Sequence, residues 1–253
     1  MERFIRFEHS EGAFFGRLQD RTIEVYDAAP WLSGRATGQT IVLEQARVLC
    51  PVMPSKIILV GLNYHVHVKQ SRSATEVPKN PILFLKPTTT LIGPGAEIVY
   101  PEGVGRVDYE AELAVVIGKQ GKHIDQAKAE DYIFGYTCLN DVTARHIQKQ
   151  DGQWTRAKGF DTFCPVGPHI IRGVDVSDLT VEAYLNGRQK QYGKTSNMIF
   201  SIPYLISFIS SVMTLLPGDV ISTGTPQGID PMQRGDTIEI RIEKIGSLVN
   251  KIV

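Results

Sequence analysis

The segment from Asp108 to Gly118, DYEAELAVVIG, sets two glutamates two residues apart at the head of an otherwise apolar run. Side chains on a strand alternate between faces, so Glu110 and Glu112 share one face, which Ala114 and Val116 continue. The run reads as a buried strand. Two like charges at the mouth of such a strand repel, and left alone at least one of them would take up a proton. Whatever lies opposite this pair therefore constrains the fold.

The chain has 253 residues, enough for one large domain or a main domain with a small appendage. Apolar residues make up 42% and charged residues 21%, a globular rather than disordered composition. Lys plus Arg and Asp plus Glu each number 27, and this zero net charge gives no support to nucleic acid as a partner. The N-terminal MERFIRFEHS does not read as a signal peptide, because charges interrupt it and no apolar run follows. The most apolar window, IFSIPYLISFISSVMTLLPG, is short, serine-rich and contains proline, so no membrane partner is expected. Ile202, Leu205, Ile206, Ile209 and Met213 are instead spaced for a helix on a core. Cys50, Cys138 and Cys164 are scattered and odd in number, forming neither a disulfide framework nor a zinc site. The expected setting is the cytoplasm.

Short β-prone runs, RFIRF, GAFFGRL and TIEVYD, predict a small N-terminal β-meander over residues 1–50. The proline-bearing VLCPVMPSK connects it to a catalytic domain over 51–253. IILVG, ILFLKP, AEIVYP and YIFGYTCLN are further strand candidates, and VTARHIQKQ and the stretch after Ser201 are helix candidates. A strand is also expected near LTVEAYLNG, and hairpin-like pairs over LPGDVISTGTPQG and RGDTIEIRIEKIG. Strands dominate and do not alternate regularly with helices, so the fold class is α+β with mixed sheets.

A divalent metal would resolve the glutamate pair, since hard cations take carboxylate oxygens and residues i and i+2 on a strand can converge on one ion. Asp141 is the candidate third ligand, ending a strand just before a helix. Three carboxylates suit Mg²⁺ or Mn²⁺ and leave about three octahedral positions for water or substrate. Spacing alone favours a simpler alternative, in which the glutamates pair with Arg106 or Arg145 and Asp141 caps a helix.

Further motifs change that balance. GLNYHVH, FLKP, DYEAELA, GYTCLNDVTARHIQ, WTRAKGFDTFCPVGP and TGTPQG follow one another over about residues 56 to 250. In this order they resemble the fumarylacetoacetate hydrolase family in its short bacterial-type form. The resemblance implies β-rich mixed sheets rolled around a metal site made by Glu110, Glu112 and Asp141, and a homodimer. It also implies small-molecule substrates, namely 2-oxo acids with a further carbonyl or carboxylate nearby.

Family roles carry over residue by residue. Lys158 reaches the substrate oxygen or a metal-bound carboxylate, Gln148 hydrogen-bonds the substrate, and Thr225 with Gly224 holds the substrate carboxylate. His67 resembles a loop histidine that passes a proton near neutral pH. Many hydrolase-type members carry glutamate three residues after that histidine, whereas this chain carries Gln70, which can orient a water but offers no carboxylate charge. Glu76 lies further along the same loop.

The expected function is divalent-metal-dependent enzymology on a 2-oxo dicarbonyl acid through a stabilised enolate. C–C cleavage comes first, as acylpyruvate-type hydrolysis or oxaloacetate-type decarboxylation. The alternative is isomerisation of the 2-hydroxyhepta-2,4-diene-1,7-dioate type, and an inactive metal-binding relative stands behind both.

Overall fold

The structure is a computed structural model, described here for residues 1–10, 12–64 and 77–253. Its largest unit is a twelve-stranded mixed sheet. The main path runs Ala36–Val42, Thr22–Tyr26, Gly12–Gln19, Glu2–His9, Cys164–Arg172, Ile133–Asn140, Ala111–Ile117, Val220–Ser222, Ile57–Gly61 and Ile82–Lys86. The first four are an antiparallel meander, as the alternation of short β-prone runs and turns predicts. The meander continues the main sheet, because Glu2–His9 pairs with Cys164–Arg172. A five-stranded sheet containing Thr180–Leu185, Arg188–Lys194, Thr237–Ile242 and Gly246–Ile252 packs nearby. Helices are few, which makes the class α+β.

Ala111–Ile117 lies in the middle of the large sheet, and all seven residues are buried. Leu113, Val115 and Ile117 enter one apolar cluster, and Ala114 and Val116 enter another. Both faces are covered, which is why the run is almost continuously apolar rather than alternating. Its antiparallel register with Ile133–Asn140 sets Ala111 opposite Asn140. The ladder thus ends with the acidic residues of both strands at one place.

The helix Ile202–Val212 begins where Ser201 accepts a hydrogen bond from the Tyr204 N–H, with proline in its first turn. It buries Ile202, Leu205, Ile206 and Ile209 of the stripe read from the sequence, whereas Met213, the fifth member, is the half-buried residue that caps the helix C-terminus. No helix among the described residues is long and apolar enough to cross a membrane. One local expectation fails. Val220–Ser222 is not half of a hairpin but an interior strand, antiparallel to Ala111–Ile117 and parallel to Ile57–Gly61. Its partners are too remote in sequence for turn chemistry to announce.

His169 lies in Cys164–Arg172, where its Nε2–H donates to Ile245 O at 2.6 Å. Burial pushes the imidazole down to about 4 from 6.5. The folded state thus favours neutral histidine, so stability is full above about pH 6.5 and is lost as pH falls toward 4, by up to about 3 kcal/mol. Thermal melting between pH 7.5 and 4.5 should show this decline, and H169Q should flatten it. An equal slope in the variant would assign the acid sensitivity elsewhere.

Candidate active site

Glu110 immediately precedes the strand Ala111–Ile117, and Glu112 is its second residue. Asp141 follows the end of Ile133–Asn140. Two bonds lock these ends together. The Asp141 N–H donates to Glu110 O at 2.9 Å, and the Glu110 N–H donates to Asn140 Oδ1 at 2.9 Å. One oxygen from each of Glu110, Glu112 and Asp141 then lies within 4.8 Å of the others, and all three residues are buried. They line a cavity of about 450 Å³ together with Arg145, Gln148 and Thr225.

Glu112 feels the confinement most. Burial first, then the charges of Asp141 and Glu110, push its carboxyl well above the ordinary range. Its Oε2 accepts from Ser222 Oγ at 2.5 Å and from the Gly224 N–H at 2.9 Å. Gly224 is at φ +94°, and a Cβ there would come within 2.8 Å of Asn63 Cβ, so only glycine can bring this amide so close. The Gly224 amide is engaged by a carboxylate of the trio.

Cations reach the cluster from three directions. Lys158, the last residue of the short helix Thr155–Lys158, donates to Glu110 Oε2 at 2.9 Å and to Asp141 Oδ2 at 2.5 Å. Burial alone would push its ammonium down, but the charges of Asp141 and Glu110 outweigh that and hold it raised. Arg145 donates to Glu110 Oε1 at 2.5 Å, to Asp108 Oδ2 at 2.9 Å and to Gln148 Oε1 at 2.6 Å. Lys86, also buried, donates to Val142 O and Phe163 O. Its Nζ lies 2.8 Å from Asp141 Oδ1 in an orientation that pairs charge without a hydrogen bond.

Four buried carboxylates, Asp108, Glu110, Glu112 and Asp141, thus face three buried or largely buried cations, Lys86, Lys158 and Arg145. Half-exposed Arg106 adds a fourth cation on Asp108. The trio offers a metal only oxygen donors, the set that suits a hard divalent cation. The trio therefore fits the metal that the sequence reading placed there. Arg145 does pair with Glu110, as the simpler alternative held, and it does so beside the trio rather than in place of it.

The structure brings together Glu110, Glu112, Asp141, Lys158, Gln148 and Thr225. Gln148 is 8% exposed on the helix Arg145–Asp151, and Thr225 is 3% exposed. His67, Gln70 and Glu76 lie outside the described residues. Sequence reasoning missed Asp108, Lys86 and Ser222. Lys86 stood within the quoted FLKP, and the DYEAELA motif begins with Asp108, so the motifs held two of them without revealing their contacts.

Loss of a ligand should be visible in metal binding alone. E112Q should weaken Mn²⁺ binding more than about 100-fold, and S222A, which removes one support of the carboxylate, by about 10-fold. Titration followed by electron paramagnetic resonance reads both. Unchanged affinity in E112Q would remove Glu112 from the site.

Residues 56–253 match the family described as fumarylacetoacetate (FAA) hydrolase C-terminal. Residues 2–51 match the family Rv2993c-like, N-terminal. Protein Rv2993c of Mycobacterium tuberculosis is 47% identical over 241 residues, covering 94% of this chain and 90% of that protein. The oxaloacetate tautomerase YisK of Bacillus subtilis is 42% identical over 224 residues, 83% of this chain and 74% of its own. Among solved structures, 2-hydroxyhepta-2,4-diene-1,7-dioate isomerase from Mycobacterium marinum aligns with TM-score 0.93 at 42% identity, over 100% of this chain and 98% of that one. Maleylpyruvate hydrolase from Sphingobium sp. SYK-6, in complex with manganese(II) ion and pyruvate, aligns with TM-score 0.82 at 31% identity over 99% and 98%. The chain belongs to the fumarylacetoacetate hydrolase family.

Proposed function

We propose that this chain is a Mg²⁺- or Mn²⁺-dependent enzyme that forms and reprotonates the enolate of a 2-oxo carboxylic acid. Keto–enol tautomerisation or double-bond isomerisation stands first. The observation that carries this reading is the oxygen trio of Glu110, Glu112 and Asp141 at a cavity that Gln148 and Thr225 also line. A divalent cation held by the trio supplies Lewis acidity toward the oxygen of a 2-oxo group.

The chain's own residues do the rest. Lys158 donates to Asp141 and Glu110, whose charges favour its ammonium form, and it serves as a fixed positive charge. Such a charge stabilises an enolate oxygen without reorganising. Arg145 occupies Gln148 Oε1, which leaves Gln148 Nε2 to donate to a substrate oxygen. Thr225 holds the substrate carboxylate through its hydroxyl. His67 is the residue that moves the proton at carbon.

The sequence reading placed C–C cleavage ahead of isomerisation. Two considerations reverse that order. Relatives of 40 to 42% identity carry the names oxaloacetate tautomerase and 2-hydroxyhepta-2,4-diene-1,7-dioate isomerase. Gln70, in place of an acidic partner for His67, also suits proton transfer at carbon better than activation of water. Hydrolysis is the second reading, supported by the likeness to maleylpyruvate hydrolase.

Metal-stripped protein assayed on oxaloacetate, by enol absorbance and by pyruvate release in parallel, separates these. Mg²⁺ or Mn²⁺ should restore tautomerisation faster than pyruvate release, and K158M should lower kcat by about 100-fold or more. Pyruvate release matching or exceeding tautomerisation would favour C–C cleavage. Tautomerisation that ignores metal would contradict the proposal.

A further inference from the structure

We propose that Gln191 is a positioning residue that fixes Thr225 as a hydrogen-bond donor to the substrate carboxylate, which rests on the reading of Thr225 given above. Gln191 comes from Arg188–Lys194 in the five-stranded sheet, and none of that strand's residues lines the cavity. It is fully buried.

Each polar atom of its amide is engaged. Oε1 accepts from the Ala111 N–H at 2.9 Å, between the two glutamates of the trio. Nε2 donates to Thr225 Oγ1 at 3.0 Å and to Pro226 O at 2.9 Å. Two of these contacts fix which way the amide points. The Ala111 N–H can only donate and Pro226 O can only accept, so the reversed amide would oppose donor to donor and acceptor to acceptor. Thr225 Oγ1 is therefore an acceptor toward Gln191. A hydroxyl that accepts from an amide keeps its own proton to give, and Thr225 lines the cavity.

The strand and the loop are built to meet here. Gly193 shares a face with Gln191, and a Cβ on it would come within 2.4 Å of Pro226 Cβ. Gly228, at φ +102°, would place a Cβ 2.4 Å from Lys190 O. The loop that carries Thr225 thus lies directly on the backbone around Gln191. One amide ties that loop to the glutamate strand, and so sets the Thr225 hydroxyl relative to the carboxylate trio.

The test uses Q191E, Q191M and T225V, with pyruvate as probe and calorimetry on Mn²⁺-loaded protein as readout. Q191E matches glutamine in shape and keeps the acceptor for Ala111. Ionised, it presents Thr225 with an acceptor; protonated, its one proton goes to Pro226 O, which can only accept. In either state the Thr225 hydroxyl is drawn to donate to it and turns away from the cavity. Q191M leaves the hydroxyl free to rotate. The pyruvate Kd should rise about tenfold or more in T225V and in Q191E, and less in Q191M. In the T225V background either Gln191 substitution should add less than about twofold, since the group it acts through is gone. If Q191E does not fold, the same cycle is run with Q191M.

A Q191E Kd within twofold of the parent, beside a raised T225V value, would overturn the role of Gln191 alone. Penalties that multiply in the double variant would do the same. So would Q191M exceeding Q191E, the order expected if Gln191 merely packs. An unchanged Kd in T225V would overturn the reading of Thr225 and this proposal with it.

Discussion

Confining like charges beside a buried strand is the constraint from which the rest of the site follows. Glu110, Glu112 and Asp141 are buried, where water screens them weakly, and Glu112 carries the consequence in a carboxyl pushed well above its ordinary range. Mutual repulsion in such a place must be offset by cations or by protonation. Lys158, Arg145 and Lys86 offset most of it. One oxygen from each of the three carboxylates remains gathered in one place, the donor set that a hard divalent cation takes.

That arrangement needs a scaffold that does not move. The acidic residues stand at the ends of two central, hydrogen-bonded strands whose apolar faces fill two separate clusters. Side chains from distant segments complete the pinning, with Ser222 and Gly224 on Glu112, Asn140 on the Glu110 amide, and Asp108 on Arg145. Buried Asp108 accepts from Arg106 at 2.5 Å as well as from Arg145, so the guanidinium that orients Gln148 is itself held in place. Preorganisation of this kind lets fixed charge stabilise charge that develops in a reaction without rearranging.

Much of this was legible in the sequence for identifiable reasons. Periodicity two put Glu110 and Glu112 on one face, and the helical spacing after Ser201 named the residues that the helix buries. The N-terminal meander showed itself through short runs separated by turn residues. What stayed hidden is carried by contacts that no local pattern encodes. Lys86 meets Asp141 across 55 positions, and Gln191 meets Ala111 across 80. Val220–Ser222 looked like a hairpin arm because its neighbours are turn-rich, whereas its pairing partners come from elsewhere in the chain. The hydrogen bond from the Gly224 amide to Glu112 is likewise visible only in the geometry.

The most direct measurement is anomalous diffraction from crystals grown with Mn²⁺ and oxalate, an unreactive mimic of a 2-oxo acid enolate. The account predicts one manganese peak bound by oxygens of Glu110, Glu112 and Asp141, with oxalate on the same ion. A peak elsewhere, or oxalate seated in the cavity with no metal among the three carboxylates, would contradict it.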